Sequence, residues 1–223
     1  MASVTLVSLS ELCHKLLVTS TAVNSSNQPI IVIDAGHGGQ DSGTKGICGT
    51  YEKDLNLSIS FKIEKILKAF GYEVIMTRKS DALIGDNSLS TIRERKRSDL
   101  NNRLNIISIE NSYLVSIHQN YYKEPKYNGT QVFYSTKNEQ SKIIAKYIQS
   151  KVVDILQKDN DRAIKPTGSE IYLLDKTLNP AVMVECGFMS NVEELNLLKD
   201  EEYQYKMALC IALGLNNYFC SLN

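Results

Sequence analysis

Two of the chain's three histidines, His37 and His118, each stand at or near the end of an apolar run. The runs are Ile31-Val32-Ile33-Asp34-Ala35-Gly36-His37-Gly38-Gly39 and Leu114-Val115-Ser116-Ile117-His118-Gln119-Asn120. Bounded by glycine or polar residues, they read as buried strands of a parallel sheet, and open α/β sheets bind ligands at the carboxyl ends of such strands. Both imidazoles are therefore expected on one rim. A catalytic zinc takes three protein ligands and keeps one position for water. Glu52, just after the glycine-rich residues 36–49 and at the start of the next helix, fits the place of the third ligand in a His/Glu/His set. Hydrolysis at such an ion also needs a group that takes a proton from water and returns it to the leaving amine. Glu185 is the candidate. It ends the apolar run Ala181-Val182-Met183-Val184, whose surround raises a carboxylate pKa toward the working range. Singly, each residue has an ordinary structural explanation, since acidic residues favour the first turn of any helix and short motifs match by chance. The conjunction carries the reading: four polar groups buried at one rim without a metal would be poorly satisfied.

The elements that must position these residues are legible in outline. Strand-like runs at residues 29–34, 72–77, 113–118, 130–135 and 181–185 are separated mostly by segments of helical spacing. That alternation predicts a single α/β domain with a largely parallel twisted sheet flanked by helices. Helices are expected at 52–70, 90–110, 139–156 and 201–219; in the first, Leu55, Ile59, Ile63, Ile66, Leu67 and Phe70 share a face and Gly71 supplies the stop. Residues 81–88 and 159–170 read as surface loops.

With 223 residues and 43% apolar content, the chain is long enough for one substantial core. Lys+Arg and Asp+Glu both total 25, so the broad basic field required for nucleic-acid binding is absent, and the run Arg93-Glu94-Arg95-Lys96-Arg97 reads as a solvated helix face. The five cysteines are scattered and show no disulfide framework; Cys210 and Cys220 read as packing residues. Residues 1–28 read as a distinct N-terminal segment, with a short amphipathic helix expected at 8–18, no membrane-spanning run and no intact export signal, leading into an expected catalytic domain at 29–223.

The strings Val32 to Gly39, Tyr51 to Leu57, Thr77-Arg78 with Asp81, Leu100 to Arg103, Ser116 to Asn120 and Pro180 to Asn191 together resemble the zinc-dependent N-acetylmuramoyl-L-alanine amidases of bacterial peptidoglycan. The likeness covers about residues 29–220. It implies Zn2+ held by His37, Glu52 and His118, with Glu185 as the catalytic carboxylate. The long stretch from Ser90 to Arg103 looks most like the germination-specific, spore-cortex members, in which amide cleavage precedes formation of muramic δ-lactam. Peptidoglycan is then the partner, outside the cytoplasm, and a regulatory or activating protein is a further expectation. Arg78, Arg103 and Asn120 are candidate substrate contacts, the two arginines equally well explained as structural ion pairs. A zinc peptidase acting on stem peptides and a non-catalytic wall-binding protein are the alternative readings.

Overall fold

In the computed structural model, which describes residues 28–46 and 49–222, all the expected apolar runs become strands. They are β1 (Ile30–Ala35), β2 (Glu73–Met76), β3 (Ser112–Asn120), β4 (Gln131–Ser135), β5 (Lys165–Thr167) and β6 (Ala181–Phe188). β5 is the unexpected one, in a stretch read as loop. Three residues long and centred on Pro166, it sits at the sheet edge, where a missing N–H is tolerated. The helices are α1 (Glu52–Ala69), α2 (Ile92–Ile107), α3 (Glu139–Ile155), α4 (Tyr172–Lys176), α5 (Val192–Lys199) and α6 (Glu201–Cys220). α4 and α5, of 5 and 8 residues, are too short for their periodicity to register in the sequence. The helix expected at 8–18 lies outside the described residues.

The strand order is β2-β1-β3-β6-β4-β5, parallel except where β4 meets β6. From β1 the chain goes to β2 on one side and then to β3 on the other. The order therefore reverses at β1, and the crevice between the carboxyl ends of β1 and β3 is the switch point at which such sheets bind ligands.

Alternation along the strands divides the interior in two. Ile31, Ile33, Val115, Ile117, Val182 and Val184 join the large core with Ile59 and Ile63 of α1, Ile148 of α3 and Ile211 of α6. Val32, Leu114, Ala181 and Met183 face the smaller core with Ile107 of α2 and Leu173 and Leu174 of α4. Cys186 and Cys210 are buried, but Cys220 is exposed at the end of α6, contrary to its expected packing.

α2 starts two residues later than expected because Thr91 caps it. Its Oγ1 accepts from Glu94 N at 3.1 Å, while Glu94 Oε2 accepts from Thr91 N at 3.0 Å. The buried stripe of this helix is Asp99, Arg103 and Ile107, and the first two turn polar groups toward the sheet. Arg103 donates to Asp99 Oδ2 at 2.7 Å and to Asp34 Oδ1, at the end of β1, at 2.6 Å. Asp34 also accepts from Thr77 Oγ1 at 2.8 Å and Ser116 Oγ at 2.6 Å. Burial alone would raise the Asp34 pKa, but Arg103, the Ser116 and Thr77 hydroxyls and nearby His118 together hold it at about 2.

Two outcomes follow. Arg103→Leu leaves two buried carboxylates without their cation and is expected to destabilise the chain by about 3–5 kcal/mol, read from urea unfolding at pH 7. Because the folded Asp34 pKa lies below its unfolded value, the stabilisation from this carboxylate is present above about pH 4 and lost as the pH falls toward 2. Asp34→Asn should remove that part of the acid dependence.

Candidate metal centre and active site

His37 lies just past β1, with a backbone φ of 63°, in the left-handed region that non-glycine residues seldom adopt. What holds it there is a set of donors on the surrounding carbonyls. Arg103 Nη2 donates to His37 O at 2.7 Å and Arg103 Nη1 to Ala35 O at 2.8 Å. Arg78 donates from Nε to Ala35 O at 2.8 Å and from Nη2 to Gly36 O at 3.1 Å and Lys53 O at 2.7 Å. Both guanidiniums are thus engaged by the protein itself, Arg103 in the expected kind of structural ion pair and Arg78 on backbone carbonyls instead. On the other side of the loop, Asp81 Oδ1 accepts from Gly39 N at 2.7 Å.

β3 brings His118 to the same rim, and the two imidazoles meet edge to face with centroids 4.9 Å apart. The first residue of α1, Glu52, lies between them. Its Oε1 is 3.2 Å from His37 Nε2 and 3.0 Å from His118 Nδ1, and it also accepts from Gln119 N at 3.1 Å. Its Oε2 accepts from Thr44 N at 2.8 Å. Asn56, one turn along α1, donates to Gly36 O at 3.1 Å and accepts from Gln119 Nε2 at 3.1 Å, tying the β1 and β3 ends to the helix.

One ligand atom from each of His37, Glu52 and His118 can be chosen so that all three lie within 4.8 Å of one another. Ligands at zinc distances of about 2.0–2.1 Å in a tetrahedron stand about 3.3 Å apart, close to the two imidazole–carboxylate separations here, so the residues fit such an ion. Burial disfavours a charge on His37, yet Asp41 and Glu52 raise its pKa to about 9. Burial likewise works against the Glu52 charge, but His118 and His37 hold its carboxyl far below the ordinary range. A bound cation makes the same claim on Glu52 that a protonated imidazole makes in its absence.

Glu185 pairs with His118 across β3 and β6. Just beyond, β6 carries one extra residue against His118–Asn120, a bulge of the kind that re-aims side chains. Glu185 Oε2 is buried and, among the described residues, has no hydrogen-bond partner. Burial is the largest cause of its raised pKa, about 7, with the Glu52 charge adding to it and both histidines opposing. The carboxylate lines a cavity of about 330 Å3 together with His37, His118 and Asp34, between the sheet, α2 and α4. Cys186 beside it is buried and its thiol pKa raised, which removes it as a nucleophile.

The sequence reading missed two residues here. Asn56 stands four residues after Glu52 on the same helix face, a spacing that could have drawn attention to it. Asp41, whose Oδ2 lies 3.0 Å from His37 Nδ1 and 3.0 Å from Lys96 Nζ, gave no pattern to find. Asn120 is half-buried at the end of β3, its carbonyl accepting from Met189 N at 2.8 Å.

A sequence model of N-acetylmuramoyl-L-alanine amidases matches residues 31–217. The chain belongs to that family. This amidase is 36% identical over 191 residues to the germination-specific N-acetylmuramoyl-L-alanine amidase of Bacillus subtilis, covering 85% of the chain and 79% of the relative. Its fold matches the CwlD amidase of Clostridioides difficile, solved in complex with the GerS lipoprotein, with a TM-score of 0.83, 39% identity, and coverage of 88% of this chain and 100% of that one. An N-acetylmuramoyl-L-alanine amidase from Clostridium difficile 630 matches with a TM-score of 0.77 and 32% identity, over 89% of this chain and 100% of that one. The activity is amide hydrolysis in peptidoglycan.

A Cβ on Gly36 of this amidase would overlap the His118 imidazole. Gly36→Ala is therefore expected to weaken zinc binding by about 10–100-fold, as disturbance of a ligand's support does, with the circular dichroism spectrum retained; a chelating-dye competition reads this. The raised Glu185 pKa has its own consequence in the metal-free chain. Its folded value exceeds its unfolded one, so ionising it opposes folding increasingly as pH rises from about 4.5 to 7. Glu185→Gln should then stabilise the metal-free chain by on the order of 3 kcal/mol at pH 8 and scarcely at pH 4, measured by urea unfolding.

Proposed function

We propose that this amidase is a zinc enzyme in which His37, Glu52 and His118 hold the ion and Glu185 moves the proton. The observation that carries this is Glu185 itself, which lines one cavity with the two histidines and whose Oε2 is buried without a hydrogen-bond partner among the described residues. Zinc, when bound, supplies Lewis acidity: it polarises the scissile carbonyl and lets a water lose its proton near neutral pH. Glu185 takes that proton, its raised pKa making the carboxylate basic enough to do so. Water oxygen bonds to the lactyl carbonyl carbon, the bond to the L-alanine nitrogen breaks, and Glu185 returns the proton to that nitrogen. The products are a lactyl carboxylate on muramic acid and a free peptide. Asp41 orients the His37 ring, Arg78 and Arg103 position the loop, and Asn120 contacts substrate at the rim.

In this reading residues 29–223 form the catalytic domain, preceded by the segment 1–28. The germination-specific relative supports a substrate in spore cortex, where cleavage leads toward muramic δ-lactam, and hence action outside the cytoplasm. Among the described residues no helix is long and apolar enough to cross a membrane. The lipoprotein bound to the Clostridioides difficile relative supports an activating protein partner for this chain.

Purified cortex treated with the native chain and zinc is expected to release peptides beginning with L-alanine, identified by mass. Glu185→Gln should lower kcat by about a hundred- to ten-thousand-fold while still binding zinc. His118→Ala should lose zinc and turnover together. Release of shortened stem peptides would make the chain a peptidase instead, and full activity of Glu185→Gln would remove the proton shuttle.

A further inference from the structure

We propose that the loop following β3 is a glycan subsite, in which Tyr121 and Tyr122 stack on the N-acetylhexosamine rings flanking the muramoyl residue that is cut. The inference rests on the reading of His118 and Glu185 as parts of the catalytic rim. It concerns how the polymer lies across that rim.

The substrate has two unlike parts. The stem peptide is a branch with a free end, whereas the glycan continues in both directions and needs an open surface. The cavity at Glu185 suits the branch. Its volume of about 330 Å3 is bounded by the sheet, by Leu100 of α2 and by Leu173 and Leu174 of α4. That is the small end of the range for ligand pockets, about 300–1,000 Å3.

The open surface is the stretch after β3. Tyr121 and Tyr122 are 51% and 52% exposed, among the more exposed large side chains of the described residues. They follow His118 by three and four positions, so their backbones lie within about 11–14 Å of it, a span of two or three sugar units. The loop is anchored to the strand that carries Glu185 and to the turn that follows it. Tyr122 N donates to Ser190 Oγ at 3.2 Å, and Asn191 Nδ2 donates to Pro125 O at 2.9 Å. The Tyr122 ring meets Tyr127 edge to face at 4.9 Å, and Tyr127 leans on Phe188, the last residue of β6, at 6.3 Å. The Tyr122 ring is thus tied through Tyr127 to the end of the strand that carries Glu185, and Tyr121, its half-exposed neighbour, extends the aromatic surface. An aromatic face of this kind fits the apolar C–H face of an uncharged sugar, with the phenol hydroxyl left for water or a sugar hydroxyl.

Two measurements on the full chain test this. The first is calorimetric titration with the peptide-free tetramer of β-1,4-linked N-acetylglucosamine, which reports on the platform without reference to amide cleavage. The native chain is expected to bind it, and the double variant Tyr121→Ala, Tyr122→Leu to bind roughly five- to tenfold more weakly or not at all, the size expected for lost aromatic contacts. Leucine keeps apolar bulk against Tyr127, and Tyr121→Ala alone serves as the variant least able to disturb the loop. The second is KM for a single muramoyl peptide against that for the same peptide on a tetrasaccharide. The native chain should show a lower KM for the tetrasaccharide, and the variants should lose that difference. Native and variant chains that bind the tetramer equally, or that keep the same KM difference, overturn the assignment. Failure of the native chain to cut either peptide substrate would strike the amidase mechanism instead, leaving the titration to decide the subsite.

Discussion

The site depends on satisfying three consecutive carbonyls where β1 runs out. A strand that ends in Ala35, Gly36 and His37 leaves acceptors that the sheet no longer pairs, and a buried acceptor without a donor is costly. Two guanidiniums take them over, Arg78 from the end of β2 and Arg103 from α2. Because a guanidinium offers several donors in a fixed plane, each one sets the relative positions of more than one carbonyl. The left-handed turn at His37, otherwise strained, is held from outside by this arrangement. The charge so buried is balanced by Asp34 and Asp99, which joins the catalytic loop, the strand end and α2 into one polar unit.

Two carboxylates on this rim are pushed in opposite directions by their surroundings. Glu52 lies between imidazoles and accepts backbone N–H groups, so it remains charged. Glu185 has a buried oxygen with no donor and stays close to the point of gaining a proton at neutral pH. Charge that stays put suits a cation; charge that comes and goes suits proton transfer. The opposite shifts arise from donors present at one residue and, among the described residues, missing at the other, since the side chains are chemically identical.

Much of this was legible in the sequence because it is local. The runs ending near His37, His118 and Glu185 carry their strand pattern in consecutive residues, and a parallel sheet gathers strand ends without further information. α1 was equally legible from Leu55, Ile59 and Ile63. The inner face of α2 was not, because its buried residues include Asp99 and Arg103, which a search for apolar spacing treats as outward-facing. The roles of Arg78 and Arg103 were hidden for a related reason: they are defined by contacts across tens of residues, and residue type alone leaves an arginine free to meet substrate or backbone; Asp41 is only four residues from His37, but in a loop whose turn back toward the imidazole no residue pattern marks. β5 escaped because three residues around a proline look like the loop that surrounds them.

β6 is threaded between β3 and β4 although it follows both in the chain. The three candidate ligands all lie within the first 118 residues, but the candidate carboxylate Glu185 comes 67 positions later, on the strand that pairs with both β3 and β4. A fragment ending before residue 181 would hold all three candidate ligands yet lack Glu185 and the strand that lies between β3 and β4.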